Sequence, residues 1–328
     1  MADAAIATEQ LVKRYGEIEA VRGIDLAIMP GEIFGFLGPN GAGKSTTISM
    51  LCTLLRPTSG RAAVAGLDVV RDPGAVRARI GLVFQDPSLD EQLTARENLD
   101  FHAFLYDVPR AIRTARINEV LEMVELADRA TSRVATFSGG MKRRLEIARG
   151  ILHSPEVLFL DEPTRGLDPQ TRSHIWDYLR ALRRSEGITI FMTTHYMDEA
   201  EFCDRIGIID MGRIVALGTP DELKARVGGD VITIATTDNV ASAGELGSKF
   251  GLTPAVDDGM LRIEVSDGAA FIPRLVRDLS AHVTAVTLRR PSLDDVFLKL
   301  TGRAIREEQA GALDRMRMMG ARWGGRRH

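Results

Sequence analysis

The chain has 328 residues, 45% of them hydrophobic, so it can bury a real core and is long enough for two domains or a little more. Its 42 Lys plus Arg stand against 45 Asp plus Glu, a near balance that gives no global basic field, and no nucleic-acid partner is expected. Cys52 and Cys203 lack a paired-thiolate spacing and no charge-free apolar run approaches the about 18 residues of a membrane span, which argues against a disulfide framework, a zinc site and a transmembrane role.

The opening MADAAIATEQLVKRYGE lacks the basic-then-apolar order of a signal peptide, so a reducing cytosol is expected and any membrane role is peripheral. Through about residue 220, short apolar strands alternate with helical stretches, the pattern of an α/β layer with parallel strands. Ile33 to Leu37 reads as a buried strand, and Thr46 to Leu51 begins the helix that follows a glycine loop. Thr94 with Glu97 makes a capping box, and Ile117, Val120, Leu121 and Val124 recur at helical spacing. Residues 94–153 are therefore predicted to be a mostly helical insertion. Apolar strands resume at Val157 to Leu160, Ile188 to Thr193 and Ile206 to Ile209, completing the core of a first domain over residues 1–227. Beyond Gly228 and Gly229, strands are predicted near Val231, Leu261 and Thr284, with helices near Phe271 and Leu293. These make a small α+β domain over residues 228–301. From Gly302 the composition shifts to Arg, Met and Gly, with seven arginines against three acidic residues, and residues 302–328 are predicted to be a basic, flexible tail.

The strongest chemical signal is Gly38-Pro39-Asn40-Gly41-Ala42-Gly43-Lys44-Ser45-Thr46, a phosphate-loop pattern that points to a nucleoside triphosphate. Its glycines let the backbone curl so that successive amide N–H groups converge on phosphate oxygens, while the following helix turns its positive end toward them. Lys44 supplies a point charge to the β/γ oxygens and Ser45 a hydroxyl to Mg²⁺. A plain glycine turn capping a helix is the competing reading, and the strand before and helix after the loop argue against it.

A second signal is the apolar strand Val157 to Leu160 ending in Asp161-Glu162, because such strand ends face the phosphate site in doubly wound sheets. Asp161 would hold Mg²⁺ and Glu162 would align and polarise the attacking water as general base. Taken alone, the pair is equally a solvated strand end or a helix cap. Ser138 with Gly139 and Gly140, opening the basic helix from Lys142 to Arg149, forms a second anion-binding helix end that phosphate can approach closely.

With Phe137-Ser138-Gly139-Gly140-Met141 in view, the first 220 residues or so resemble the ABC ATPase family. The resemblance rests on the phosphate loop, Gln85 after Leu82-Val83-Phe84, the Ser-Gly-Gly signature, Asp161-Glu162-Pro163-Thr164, Gly166-Leu167-Asp168-Pro169 and Thr194-His195. It implies an α/β P-loop NTPase core with a mixed sheet and a helical insertion, using ATP and Mg²⁺. It also implies a head-to-tail homodimer in which the signature of one copy closes over the γ-phosphate held by the loop of the other. By the same resemblance, Tyr15 stacks on adenine, Gln85 senses Mg²⁺ and the γ-phosphate, Asp168 links the two sites, and His195 contacts the γ-phosphate. Singly, Tyr15 reads as a core or strand-edge aromatic, Gln85 as a satisfied loop amide and His195 as a strand-end histidine; their joint order favours the functional roles.

Two positions depart from the family pattern: Met141 lacks the usual terminal amide and cannot donate a hydrogen bond, and Arg165 stands where a smaller or polar residue is commoner. Arg165 reads either as a solvated charge or as a dimer contact. The form Phe-Ser-Gly-Gly-Met-Lys-Arg-Arg-Leu and the stretch Pro291 to Phe297 resemble the daunorubicin-resistance type of exporter ATPase. That likeness implies a separate ABC-2 type permease, export of a hydrophobic or amphipathic compound, and a place on the cytoplasmic face of a bacterial membrane. Lipid, ion or polysaccharide-precursor export is the nearer alternative, and a soluble ABC ATPase acting on ribosomes or DNA the more distant one; a regulatory nucleotide-binding module without steady turnover is disfavoured by Glu162 and His195. In the small domain, which is expected to dimerise or regulate, Asp257, Asp258, Asp294 and Asp295 read as turn and helix-start carboxylates. In the tail, Leu313, Met316, Met319 and Trp323 read either as an apolar stripe for a partner groove or anionic lipid, or as part of a solvated segment.

Overall fold

A computed structural model describes residues 4–85, 88–257 and 260–302. In chain order its first elements are β1 (Ile6–Tyr15), β2 (Ile18–Ile28), β3 (Ile33–Leu37), α1 (Lys44–Leu51), β4 (Ser59–Val64), β5 (Leu67–Asp68), α2 (Pro73–Arg79) and β6 (Ile80–Val83). Then come α3 (Ala95–Leu105), α4 (Arg110–Met123), α5 (Gly139–Ile151), β7 (Val157–Asp161), α6 (Pro169–Glu186), β8 (Thr189–Thr194) and α7 (Met197–Ala200). They are followed by β9 (Arg205–Asp210), β10 (Arg213–Gly218) and α8 (Pro220–Ala225). The last group is β11 (Asp230–Thr236), α9 (Asn239–Phe250), β12 (Ala255–Asp257), β13 (Met260–Val265), α10 (Gly268–Asp278), β14 (Val283–Arg289) and α11 (Leu293–Thr301).

The six-stranded central sheet runs β10-β9-β3-β8-β7-β6. From β9 to β6 every pairing is parallel, and β10 closes one edge antiparallel to β9. Strands β3, β7 and β8 are buried on both faces, which is why they read as unbroken apolar runs rather than alternating ones. The remaining strands of this part of the chain, β1, β2, β4 and β5, form a separate antiparallel sheet in the order β2-β1-β4-β5. The short turn at Gly16-Glu17 dictates this, because it joins Tyr15 to Ile18 in register and only antiparallel strands can be joined so tightly.

The helical stretch holds α3, α4 and α5, and the Thr94–Glu97 capping box is made at the start of α3. Its apolar faces are not a separate core. Leu99, Ile117, Val120, Leu121 and Leu145 share one cluster with Leu158, Leu160, Ile190 and Met192 of the central sheet. The C-terminal segment has its own four-stranded sheet, β12-β13-β11-β14, with Ile232, Ile234, Leu261 and Ile263 packed against Leu246 of α9 and Leu275 of α10. Helix α11 leaves that sheet and buries Leu293, Val296 and Phe297 in the first core beside Leu223 of α8. Asp295 closes a capping box with Ser292 at its start, a helix-start carboxylate as read. Asp258 and the tail positions Leu313, Met316, Met319 and Trp323 lie outside the described residues.

Candidate nucleotide site

Parallel register decides where the chemistry collects. Leu37 pairs with Thr194, Asp161 with Thr193 and Val83 with Leu160, so the carboxyl ends of β3, β8, β7 and β6 lie side by side. That edge carries the phosphate loop, Asp161-Glu162, His195 and Gln85, four stretches separated in sequence and joined by the sheet.

The phosphate loop leaves β3 at Leu37 and turns into α1. Gly43 caps the helix at φ 110°, and an added Cβ there would meet the Ala20 carbonyl at 2.5 Å, so only glycine fits. No side chain caps the N-terminus of α1, which leaves its first N–H groups for an anion. Lys44 is buried and its Nζ donates to the Gly38 carbonyl at 2.7 Å and the Pro39 carbonyl at 3.1 Å, bridging the mouth of the loop. Burial lowers the affinity of Lys44 for its proton, and the Glu162 and Asp161 carboxylates act against that. Asn40, Gly41 and Ser45 are exposed, Thr46 is partly buried and Ala42 is buried.

At the end of β7, Asp161 Oδ1 accepts from Thr193 Oγ1 at 2.5 Å and from Ser45 Oγ at 3.3 Å. These hydroxyl and carboxylate oxygens are the hard donors Mg²⁺ takes. Among the described residues no group of three or more His, Cys, Asp or Glu side chains could hold a metal.

Glu162 is 7% exposed and its backbone adopts φ 46°, a left-handed conformation costly for a side chain with a Cβ. Its amide donates to Thr193 Oγ1 at 3.0 Å, which fixes the turn. Glu162 Oε1 lies 3.2 Å from His195 Nδ1 and 3.6 Å from Lys44 Nζ. Glu162 Oε2 has no hydrogen-bond partner, and the Arg165 guanidinium stands 3.6 Å from it. Burial pushes the Glu162 carboxyl up, but the His195 hydrogen bond and the Lys44, His195 and Arg165 charges together hold it below the ordinary glutamate value. Arg165 is half-exposed and pairs with Glu162, a role that neither reading of the sequence included.

Ser138 caps α5, its Oγ accepting from the Met141 amide at 3.2 Å, and Ser138 and Gly139 are exposed. Gly140 sits against Thr171, where an added Cβ would meet the side-chain methyl at 2.5 Å. The signature mouth therefore abuts the start of α6. Asp168 caps that helix, accepting from Thr171 N at 3.0 Å and Thr171 Oγ1 at 2.6 Å, and these bonds hold its carboxyl below the usual range. Tyr15 ends β1, half-exposed, with Lys13 Nζ 5.2 Å from its ring centroid. The Ala20 carbonyl that crowds Gly43 lies on β2, two residues past Ile18, the register partner of Tyr15. Gln85 follows β6, partly buried, at the same sheet edge as Asp161.

Two supporting residues escaped the sequence reading. Thr193 ties Asp161 to the Glu162 amide, and the buried Glu199 accepts from Thr164 Oγ1 and, at 2.6 Å, from Thr194 Oγ1, linking the segments on either side of Glu162 and His195. The signal for Glu199 was its place one helical turn past His195.

The chain is similar to known proteins along most of its length. Residues 21–165 match the ABC transporter family model, and residues 218–301 match the C-terminal domain of DrrA1-3-like ATP-binding proteins. The daunorubicin resistance ATP-binding protein DrrA3 of Streptomyces coeruleorubidus is 45% identical over 320 residues, covering 94% of this chain and 100% of that one. The linearmycin resistance ATP-binding protein LnrL of Bacillus subtilis is 41% identical over 91% of this chain and 99% of its own. Among solved structures, the dimeric post-hydrolysis cassette MJ0796 bound to ADP and Pi is 30% identical, with a TM-score of 0.59 over 65% of this chain and 98% of that one.

Proposed function

Because the chain belongs to the ABC transporter ATP-binding family, in the branch that carries a DrrA1-3-like C-terminal domain, we propose that it powers export of a hydrophobic or amphipathic compound through an ABC-2 type permease. It is an ATP-hydrolysing subunit, and such subunits work as paired cassettes with membrane permeases. The drug-resistance names of its relatives support the cargo class. A peripheral place on the cytoplasmic face of the membrane fits a chain in which, among the described residues, no helix is long and apolar enough to cross a bilayer.

The observation that carries the mechanism is the exposed signature mouth. Ser138 and Gly139 present a helix N-terminus to solvent, packed not on the phosphate loop but on the Asp168–Thr171 start of α6. A phosphate site with free amides on an outer surface is half of a site, and a second copy supplies the other half. In the proposed cycle, the first amides of α1 and Lys44 Nζ bind the phosphates, exchanging the Gly38 and Pro39 carbonyls for phosphate oxygens. Tyr15 stacks on the base. Ser45 and Asp161 would hold Mg²⁺, with Gln85 beside them at the end of β6, and the ion would supply positive charge against the phosphates. Ser138, Gly139 and Gly140 of the opposite copy then close over the γ-phosphate, and Asp168 lies at the junction. Glu162, ionised, orients the water and takes its proton, while His195 steadies the Glu162 carboxylate and the phosphate. Residues 1–227 act as the ATP-binding unit with 94–153 as its helical arm, and 228–301 as an accessory unit.

The test is an inter-subunit cross-link. Ser138→Cys and Asn40→Cys, placed on separate copies in a Glu162→Gln background, should form a disulfide-linked dimer only with ATP and Mg²⁺. Cross-linking that ignores nucleotide, or never occurs, would remove the opposed-copy mechanism.

A further inference from the structure

The signature helix holds a buried ion pair that the cycle above does not use. Arg143, in the second turn of α5, is 6% exposed, and Glu146, one turn further, is 0% exposed. The Arg143 guanidinium makes four hydrogen bonds: Nε to the Pro163 carbonyl at 2.6 Å, Nη1 to the Phe84 carbonyl at 2.5 Å and to Glu146 Oε2 at 3.1 Å, and Nη2 to the Asp161 carbonyl at 3.2 Å. Glu146 Oε1 accepts from the Ser88 amide at 2.6 Å and from Ser88 Oγ at 3.3 Å.

The partners fall in two functional turns. Phe84 immediately precedes Gln85 and Ser88 follows it three residues later, so the pair holds the backbone on both sides of Gln85. Asp161 and Pro163 flank Glu162, whose left-handed backbone the same guanidinium thereby braces. The helix supplying both charges is the one that opens at Ser138. A buried ion pair is weak evidence of stabilisation, since apolar residues of similar volume often serve as well. What the guanidinium offers instead is a planar fork of five donors in fixed geometry, able to hold several carbonyls at set positions.

We infer that Arg143 and Glu146 form a positioning unit that locks the Gln85 turn and the Glu162 turn to the signature helix. The general base and the phosphate-facing amide of one site then move with the helix mouth that closes the opposite site. This rests on the assignment of Glu162 and Gln85 above.

The test uses the full chain with Mg²⁺-ATP and compares the Arg143→Met, Glu146→Leu double variant and the single Arg143→Lys with the unsubstituted protein. Phosphate release, ATP binding, melting temperature and the Mg²⁺ concentration for half-maximal rate are measured together. A positioning role lowers kcat roughly 10- to 100-fold and raises the Mg²⁺ requirement while ATP affinity and melting hold. Arg143→Lys shows the same split, because an ammonium cannot span carbonyls on two turns. Should the double variant not fold, Arg143→Lys alone is decisive. A kcat within about twofold of the unsubstituted chain overturns the inference, as does a kcat that falls only in step with melting and ATP affinity. An unsubstituted chain that binds ATP without turning it over would strike the ATPase assignment of Glu162 instead.

Discussion

His195 Nδ1 lies 3.2 Å from Glu162 Oε1, and Lys44 Nζ approaches the same oxygen at 3.6 Å. Strand β8, strand β7 and helix α1 thus meet at one carboxylate oxygen, with the other oxygen left without a hydrogen-bond donor. That second oxygen is suited to receive a proton from water. Glu162→Gln keeps the shape and loses the basicity, so kcat should fall about 100- to 10,000-fold while ATP binding is retained. Steady-state phosphate release beside equilibrium nucleotide binding reads both quantities, and undiminished turnover would exclude Glu162 as the base.

Arg165 offers a graded version of the same experiment. Its guanidinium is 3.6 Å from Glu162 Oε2 and its side chain is 49% exposed, so the charge is largely screened by solvent. Although Glu162 is buried, the half-exposed guanidinium limits the pair to about 1 kcal/mol, and Arg165→Ser should therefore change kcat by no more than about fivefold. A hundredfold loss with normal ATP binding would instead place Arg165 among the groups that contact the reacting phosphate.

The two anchors of the site were legible because their chemistry is local. The phosphate loop is written in consecutive glycines with Lys44-Ser45, and Asp161-Glu162 closes an apolar run on neighbouring residues. The partners that orient them are not local. Arg165 meets Glu162 across a turn in which Glu162 sits at φ 46° with its amide held by the Thr193 hydroxyl of another strand. The antiparallel sheet was equally hidden: β1 shifts register between Thr8 and Leu11, with Gln10 at φ 46°, which breaks the alternation that marks a half-buried strand. Helix α9 went unread for a simpler reason. It buries only Ser242 and Leu246, so its Ala, Gly and Ser residues form no apolar stripe.

A pH dependence is built into the helical arm. His102, Tyr106 and His153 stack there, with Tyr106 and His153 ring centroids 4.1 Å apart. Burial, aided by the Arg149 and His153 charges, pushes His102 down from 6.5 to about 3, and burial also lowers His153. Both rings stay neutral in the folded chain at pH values where the unfolded chain would protonate them. Their contribution is therefore complete above pH 6.5 and is lost as pH falls toward about 3, with a slope for His102 of at most about 1.4 kcal/mol per pH unit. His102→Phe keeps the ring and removes that proton, so its stability should fall less than that of the unsubstituted chain between pH 6.5 and 4.5. Parallel denaturant curves across that range would show it, and identical pH slopes would mean that His102 is not buried as described.

The last prediction concerns how far the C-terminal segment belongs to the ATP-binding core. Phe297 of α11 is fully buried in the cluster that holds Leu223 and Ala216, not in the cluster of the small sheet. Lys299 adds a polar tie, donating to the Val227 carbonyl at 2.6 Å and the Arg226 carbonyl at 3.2 Å at the end of α8. Removing a buried phenylalanine ring costs about 3–5 kcal/mol through lost transfer energy and the cavity left behind. Phe297→Ala should accordingly destabilise the nucleotide-binding unit itself, lowering the midpoint of the transition that ATP protects. Ile263→Ala, which opens a cavity under the small sheet, should leave that transition in place and loosen only residues 230–289. Hydrogen exchange of the amides of β3 and β7, read in both variants, separates the cases. If Phe297→Ala leaves those amides as protected as before, α11 is a surface attachment and the closing helix carries no load for the core.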